Sequence, residues 1–192
     1  MNTKSIINTP IRLCLLLLTL VISVVNVRAD NLESLILGKW TSSFITSVPS
    51  PGFEGDIAVL KCSGNEEYFP NKTCSSDGTL GLLGKFFDDE KKLHNIKVLY
   101  EIRMTSEWSV VGGIVYDKIT DSAVTLSKLW IDEKEITDRG VLDAYKKESQ
   151  MEKLFLKGQT TPTKTISIDA NKWVYEVEME KGKKVIVKAT RP

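Results

Sequence analysis

Between Val98 and Val110, bulky side chains occur at every second position, and polar side chains fill most of the positions between them. The even-numbered positions of this stretch are Val98, Tyr100, Ile102, Met104, Ser106, Trp108 and Val110. Such alternation is typical of a long β-strand with one buried and one wet face, because successive side chains of a strand point in opposite directions. The sequence therefore predicts a sheet at the centre of the fold.

Turn residues place this strand in a hairpin. Gly112-Gly113 interrupts the alternation, and apolar residues return from Ile114 to Ile119, which predicts an antiparallel pair. A second hairpin is predicted at the C terminus, where the strands Trp173–Met179 and Val185–Ala189 flank a turn at Lys181-Gly182. Antiparallel neighbours in sequence favour a meander over a parallel sheet.

Further strands and one helix complete the predicted fold. The other strands are predicted at Gly38–Thr46, Asp56–Cys62, Asn65–Pro70, Gly78–Phe87, Ala123–Ile131 and Thr165–Asp169. A broken apolar stripe predicts an amphipathic helix near residues 137–155. We therefore expect a mainly β chain, an antiparallel meander of 8–10 strands that closes into a barrel, because closure removes exposed strand edges.

The inward face of these strands holds the candidate ligand-binding residues. They are Tyr100, Ile102, Met104, Trp108, Trp173 and Tyr175. Small barrels either fill with side chains or hold one small ligand. The same residues are therefore equally compatible with a plain hydrophobic core.

Residues 1–29 are predicted to form a cleaved secretory signal peptide. Lys4 and Arg12 give it a basic start, an apolar run extends from Leu13 to Val25, and small residues occur in Val27-Arg28-Ala29 before the predicted cleavage. A retained membrane anchor is the alternative, although the run is shorter than the roughly 20 residues that cross a bilayer. We expect the mature chain, residues 30–192, to be a single domain in the periplasm or outside the cell, without stable membrane insertion.

The charge of the mature chain bears on its partners. Loss of residues 1–29 removes three basic side chains and no acid, which leaves 23 basic and 25 acidic side chains. Nucleic acids and anionic membranes both attract proteins through a clustered basic excess. A nearly neutral chain therefore predicts neither as a partner.

Two cysteines remain after this cleavage, Cys62 and Cys74, twelve positions apart. An isolated pair in an oxidising compartment is most simply a disulfide. The alternative is two free thiols. A bond closing a loop of this size would stabilise the fold by roughly 2.5 to 3 kcal/mol.

Three short stretches carry a resemblance to a known family. Leu37-Gly38-Lys39-Trp40 resembles the Gly-x-Trp opening of lipocalins. Tyr68-Phe69-Pro70 with the later Ser76–Thr79, and then Ser106–Gly113, are similar to stretches of small secreted bacterial lipocalin-like domains. The resemblance implies a calycin-type barrel in which Trp40 closes one end and Arg191 packs across it through a cation–π contact. Because three predicted strands follow the helix here, a β-sandwich or an open curved sheet remains the alternative architecture.

The residues give little support to catalysis. His94 is the only histidine, and it lies in a charged stretch predicted to be an exposed loop. No Gly-x-Ser-x-Gly nucleophile motif and no Gly-x-x-x-x-Gly-Lys phosphate loop occurs. We predict no catalytic residue, no metal site and no cofactor.

Two functions remain after these exclusions. The first is a non-catalytic binding protein whose barrel holds a small apolar ligand. The second is a periplasmic or secreted protein-interaction domain, such as an inhibitor, an immunity factor or an envelope-assembly factor, that acts through the loops Pro49–Glu54 and Phe86–His94.

Overall fold

The computed structural model describes residues 29–49, 57–88, 90–149, 151–178 and 183–192. The predicted signal peptide before residue 29 and most of the predicted loop Pro49–Glu54 lie outside these ranges. The elements within them are α1 (Ala29–Ile36), β1 (Gly38–Pro49), β2 (Ile57–Tyr68), β3 (Thr73–Phe87), β4 (Leu93–Val111), β5 (Ile114–Ile131), β6 (Lys134–Glu135), α2 (Arg139–Ser149), a 3₁₀ helix η1 (Met151–Leu154), β7 (Thr160–Ile168), β8 (Lys172–Glu178) and β9 (Lys184–Thr190).

Eight of the strands close into an antiparallel barrel. Strands β1 to β5 pair in sequence order, β5 pairs with β7, and β7, β8 and β9 pair in order before β9 returns to β1. The two-residue strand β6 pairs only with β5. The predicted fold class, a mainly β meander barrel with a helix before the last three strands, is confirmed, and the sandwich and the open sheet are wrong.

The barrel is closed more tightly at one end than at the other. Strands β5 and β7 pair only from Ile114 to Lys118, and β1 pairs with β9 only from Thr41 to Ser43. Strands β3, β4 and β5 instead pair along nearly their whole length. We call the end that contains Trp40 and Gly112-Gly113 the closed end, and the end that contains the β3–β4 turn the open end.

Strand β2 runs without interruption through Ser63-Gly64, where the sequence predicted a break between the strands Asp56–Cys62 and Asn65–Pro70. The reason is a glycine pair: Gly64 lies opposite Gly78 of β3, and a Cβ on Gly64 would come within 2.8 Å of the Asp77 carbonyl oxygen. The two backbones approach closely there because neither residue carries a side chain. The actual β2–β3 turn is at Phe69–Lys72, where Lys72 has a positive φ of 66°.

Strand β5 also joins two segments that the sequence predicted separately. Thr120 and Ser127 are extra residues in its pairing with β4, at the two register shifts between these strands. Each such bulge moves the inward-facing set by one position. The change of alternation in the sequence therefore marks bulges within one strand instead of a break between two.

Both helices differ from the prediction. Helix α2 is shorter than the predicted 137–155, and it begins after Asp138, whose Oδ1 accepts a hydrogen bond from the Val141 backbone N–H over 3.0 Å. This is an N-cap contact, which satisfies a backbone donor at the start of the helix. Helix α1 was not predicted, and its side chains Leu32 and Ile36 are fully buried.

An aromatic core lies at the closed end. The Trp40 ring contacts Trp173 edge to face at 5.7 Å between centroids, and its Nε1 donates to the Ile36 carbonyl oxygen over 2.7 Å. The Arg191 guanidinium lies over the Trp40 ring, with Cζ 4.2 Å from the centroid, and its Nη2 donates to the Leu35 carbonyl oxygen. These contacts join α1, β1 and the C-terminal residues into a plug.

The predicted disulfide between Cys62 and Cys74 is wrong, because the two sulfurs are not bonded to each other. Cys62 pairs across the sheet with Leu80, whereas Cys74 pairs with Tyr68. This six-residue offset separates the two cysteines by about 20 Å along the strands. A disulfide requires Cα atoms within about 7 Å of each other.

Within the described ranges, no helix is both long enough and apolar enough to span a bilayer.

Candidate functional site in the barrel lumen

The lumen of the barrel contains a cavity of about 260 Å³. Apolar and aromatic side chains provide most of its wall, and a few polar groups interrupt them. Its lining residues are Phe44, Leu60, Cys62, Glu66, Tyr68, Cys74, Ser76, Leu80, Met104, Ser106, Asp117, Ile119, Phe155, Gln159, Thr161, Thr163, Trp173, Tyr175 and Val177. An apolar cavity with a small number of convergent polar groups is the usual form of a small-molecule site.

The six predicted ligand-binding residues divide into two groups. Met104, Trp173 and Tyr175 line the cavity. Tyr100, Ile102 and Trp108 do not line it and pack into the hydrophobic core instead. The lumen therefore uses only part of the inward face that the alternation predicted.

Trp108 illustrates why an inward position is not the same as a ligand contact. Its Nε1 donates to the carbonyl oxygens of Phe69 and Thr73, and the Lys72 ammonium lies 4.1 Å from the ring centroid. The indole is thus enclosed by the β2–β3 turn at the closed end. Its position there is structural.

Two carboxyls that line the cavity, Glu66 and Asp117, are site residues that were not predicted from the sequence, and both are only partly buried. Glu66 lies on β2 at the same parity as Leu60 and Tyr68, and Asp117 lies on β5 between the buried Val115 and Ile119. Both therefore face inward. Continuing the even-numbered parity of β2 through Gly64 would have found Glu66, but the sequence predicted two separate strands there.

Asp117 is held by two hydroxyl donors. Tyr68 Oη donates to its Oδ2 over 3.2 Å, and Ser106 Oγ donates to its Oδ1 over 3.3 Å. Burial nevertheless raises the pKa of Asp117 to about 6, because desolvation of the charged form outweighs these two hydrogen bonds. The carboxyl is fixed in place and retains a charge at neutral pH.

Glu66 has a different environment. No hydrogen bond or ion pair to its carboxyl occurs among the residues that the structure describes, and the carboxyl faces the cavity. Burial, and then the nearby charge of Asp117, raise the pKa of Glu66 to about 7. Near neutral pH, both the protonated and the ionised form of Glu66 are therefore populated.

Tyr68, Tyr175 and Cys74, which also line the lumen, stay neutral. Burial raises the pKa of the Tyr68 and Tyr175 hydroxyls and of the Cys74 thiol, and the charge of Glu66 adds to the effect. Neutral tyrosines remain hydrogen-bond donors. The lumen thus presents donors and two acids within an aromatic wall.

His94 lies away from this cavity, and the prediction that it is part of an exposed loop is wrong. It is in β4, with its ring stacked on Phe86 at 5.3 Å between centroids. Its Nδ1 and Nε2 contact Asp132 and Asp88 over 2.7 and 2.9 Å. Hydrogen bonds to Asp88 and then Asp132 raise the pKa of His94, so the three side chains link two turns of the open end.

No group of three or more His, Cys, Asp or Glu side chains with metal-binding geometry occurs in the described part of the chain.

In comparison with known proteins, no family model matches this sequence and no curated protein is significantly similar to it.

Proposed function

We propose that this chain is an exported, non-catalytic binding protein whose barrel lumen takes up one small, mainly apolar ligand. The observation that carries the proposal is the cavity of about 260 Å³, which is lined by aromatic and aliphatic side chains together with several polar groups. A core that served only to stabilise the barrel would fill this space with side chains.

The size of the cavity limits the ligand. Pockets for drug-sized molecules usually measure about 300 to 1,000 Å³. The lumen is slightly below this range, so a single ring or a medium-length alkyl chain fits better than a two-chain lipid.

Phe155 and Gln159 lie beside β5 at the lumen wall, where the Ile119 backbone N–H donates to the Gln159 carbonyl oxygen over 2.9 Å.

Export and lipocalin kinship are part of the same proposal. The apolar run of residues 13–25 supports a secretory signal. The Gly-x-Trp stretch lies at the start of β1, and the Trp40–Arg191 contact at the closed end is the arrangement that the lipocalin resemblance implies. An eight-stranded barrel with one small internal ligand is consistent with both features.

The test is calorimetric titration of the purified mature protein with 1-octanol, a medium-length chain with one neutral polar group. Two variants on neighbouring positions of β3 locate the site. Ser76 lines the lumen, whereas Ser75 is exposed on the outer face. We expect saturable binding to wild-type protein, loss of at least about tenfold in affinity for Ser76→Phe, which fills the cavity, and no loss for Ser75→Phe.

Two results would overturn the proposal: absence of octanol binding to wild-type protein, and equal binding by all three proteins. If Ser76→Phe does not fold, amide chemical-shift changes on octanol addition decide the question in wild-type protein. Changes at Leu60 and Ile119, which line the lumen, support the proposal. Changes confined to the exposed Leu83 contradict it.

The second candidate function is a secreted protein-interaction domain, and a specific feature favours it. Large apolar side chains are exposed on the barrel exterior and towards the open end, with Ile45 65 % exposed and Leu83 47 % exposed. Native mass spectrometry before and after organic extraction separates the two functions. A ligand-sized mass that extraction removes supports the lumen function, whereas a clean mass in stoichiometric complex with one purified protein supports the alternative.

A further inference from the structure

We propose that the ligand of the lumen carries a protonated amine, which the carboxylates of Glu66 and Asp117 bind. This inference rests on the proposed function and specifies the chemistry of its ligand. It depends on the charge of the lumen, on the hydrogen-bonding capacity that Glu66 leaves open, and on the aromatic wall beside it.

The charge of the lumen has one sign. Glu66 and Asp117 are both acids, and no lysine, arginine or histidine is among the described residues that line the cavity. A buried carboxylate without a cationic partner destabilises the fold, which is why such groups are normally paired. A ligand cation would supply the missing partner, whereas a ligand carboxylate would add a third negative charge.

The hydrogen bonds of the two acids differ in a way that leaves a place for a donor. Asp117 accepts from Tyr68 and Ser106, so the protein holds it in a fixed position. Within the described residues Glu66 has no such donor. An ionised carboxylate can only accept hydrogen bonds, and a primary ammonium provides three donors and no acceptor. The two groups are therefore complementary.

The aromatic wall favours the same ligand. Tyr68 and Tyr175 line the cavity, and each has its ring packed against Trp173, at 5.8 and 4.6 Å between centroids. Aromatic rings attract ammonium groups through their electron-rich faces, most strongly where water is excluded. The apolar remainder of the amine would lie against Leu60, Leu80 and Ile119.

The experiment compares octylamine, 1-octanol and octanoate, which share one alkyl chain and differ only in the head group. Titrations at about pH 8 keep both lumen carboxyls mainly ionised and octylamine protonated. We expect octylamine to bind wild-type protein at least about tenfold more tightly than octanol, because charge-assisted hydrogen bonds are stronger than neutral ones. Octanoate should bind most weakly.

Two variants and one control identify the residues responsible. Glu66→Gln should remove most of the preference for octylamine over octanol while octanol binding remains, and Asp117→Asn should reduce the same preference. The control is Glu67→Gln. Glu67 follows Glu66 directly in β2 but has its carboxylate 3.7 Å from the Lys39 ammonium, in a surface ion pair. The control should retain the full preference.

The outcomes distinguish this inference from the function on which it rests. If octanol binds and octylamine binds no more tightly, the amine inference is overturned and the lumen function stands. If octylamine is preferred equally by wild-type protein and the Glu66→Gln and Asp117→Asn variants, the amine lies elsewhere and the inference is again overturned. If none of the three compounds binds, the proposed function itself fails.

Discussion

The closed end and the lumen are adjacent parts of one barrel, but they differ in whether their interior polar groups have hydrogen-bond partners. At the closed end, the indole N–H groups of Trp40, Trp108 and Trp173 all donate to oxygen acceptors, and Arg191 donates to backbone carbonyl oxygens. In the lumen, Glu66 is a desolvated acid without a hydrogen-bond donor in the described part of the chain. Satisfied polar groups stabilise a fold, whereas an unsatisfied acid destabilises it.

This contrast separates the hydrogen-bonded plug from the polar groups that face the cavity. Trp40 and Trp173 contact each other and form the plug, and Arg191 covers it. Glu66 adds nothing to that plug, because an apolar or amide side chain at its position would be easier to bury. Because the Glu66 carboxyl destabilises the fold, it is a candidate for ligand binding.

Removal of the plug should produce the largest effect. Trp40→Ala is expected to lower the free energy of unfolding by about 3 to 5 kcal/mol, because it empties a fully packed site and removes the partner of Arg191. Chemical denaturation followed by circular dichroism measures this loss.

Trp130→Ala is the matched control for that substitution. Trp130 is only partly buried, and the Lys97 ammonium lies 4.4 Å from its ring centroid on the outer face. We expect a loss of about 1 kcal/mol there. Equal losses for the two tryptophans would contradict the assignment of Trp40 as the plug.

Substitution of a lumen acid should instead raise the free energy of unfolding. The pKa of Glu66 rises from 4.5 in the unfolded chain to about 7 in the folded one, so the folded state binds the proton more tightly. The free energy of unfolding of wild-type protein should therefore fall as pH rises from about 4.5 through about 7. Glu66→Gln should reduce this slope and raise stability at about pH 8 by on the order of 3 kcal/mol.

Denaturant unfolding at a series of pH values measures that slope, and Glu67→Gln is the control. Glu67 is in a surface ion pair, so its substitution should leave the slope close to that of wild-type protein. A wild-type stability that stays constant over this pH range would show that Glu66 is not a destabilising buried acid.

A smaller effect is expected for Arg191→Lys. The planar guanidinium stacks on Trp40 while its Nε donates to the Ala170 carbonyl oxygen over 2.6 Å, and a lysine ammonium cannot reproduce both contacts. We expect a loss of about 1 to 2 kcal/mol in the same denaturation experiment. The exposed Arg103→Lys should change stability by less than about 0.5 kcal/mol, and a similar loss at both positions would remove the distinction between plug and surface.

The sequence by itself determined the architecture and part of the lining of the lumen. Alternation from Val98 to Val110 and the Gly112-Gly113 turn predicted the central hairpin, and the spacing of the other strands predicted an antiparallel meander barrel. These features are local, since the period of two and the turn residues act on neighbouring positions of the chain. Met104, Trp173 and Tyr175 were found in this way.

Only the tertiary structure decided which inward positions surround the cavity and which fill the core. The offset of Cys62 and Cys74 depends on the register of β2 and β3, and the placement of Glu66 and Asp117 in one cavity depends on the closure of distant strands around the lumen. Neither register nor closure can be read from a single strand, because both result from pairing between segments far apart in the chain.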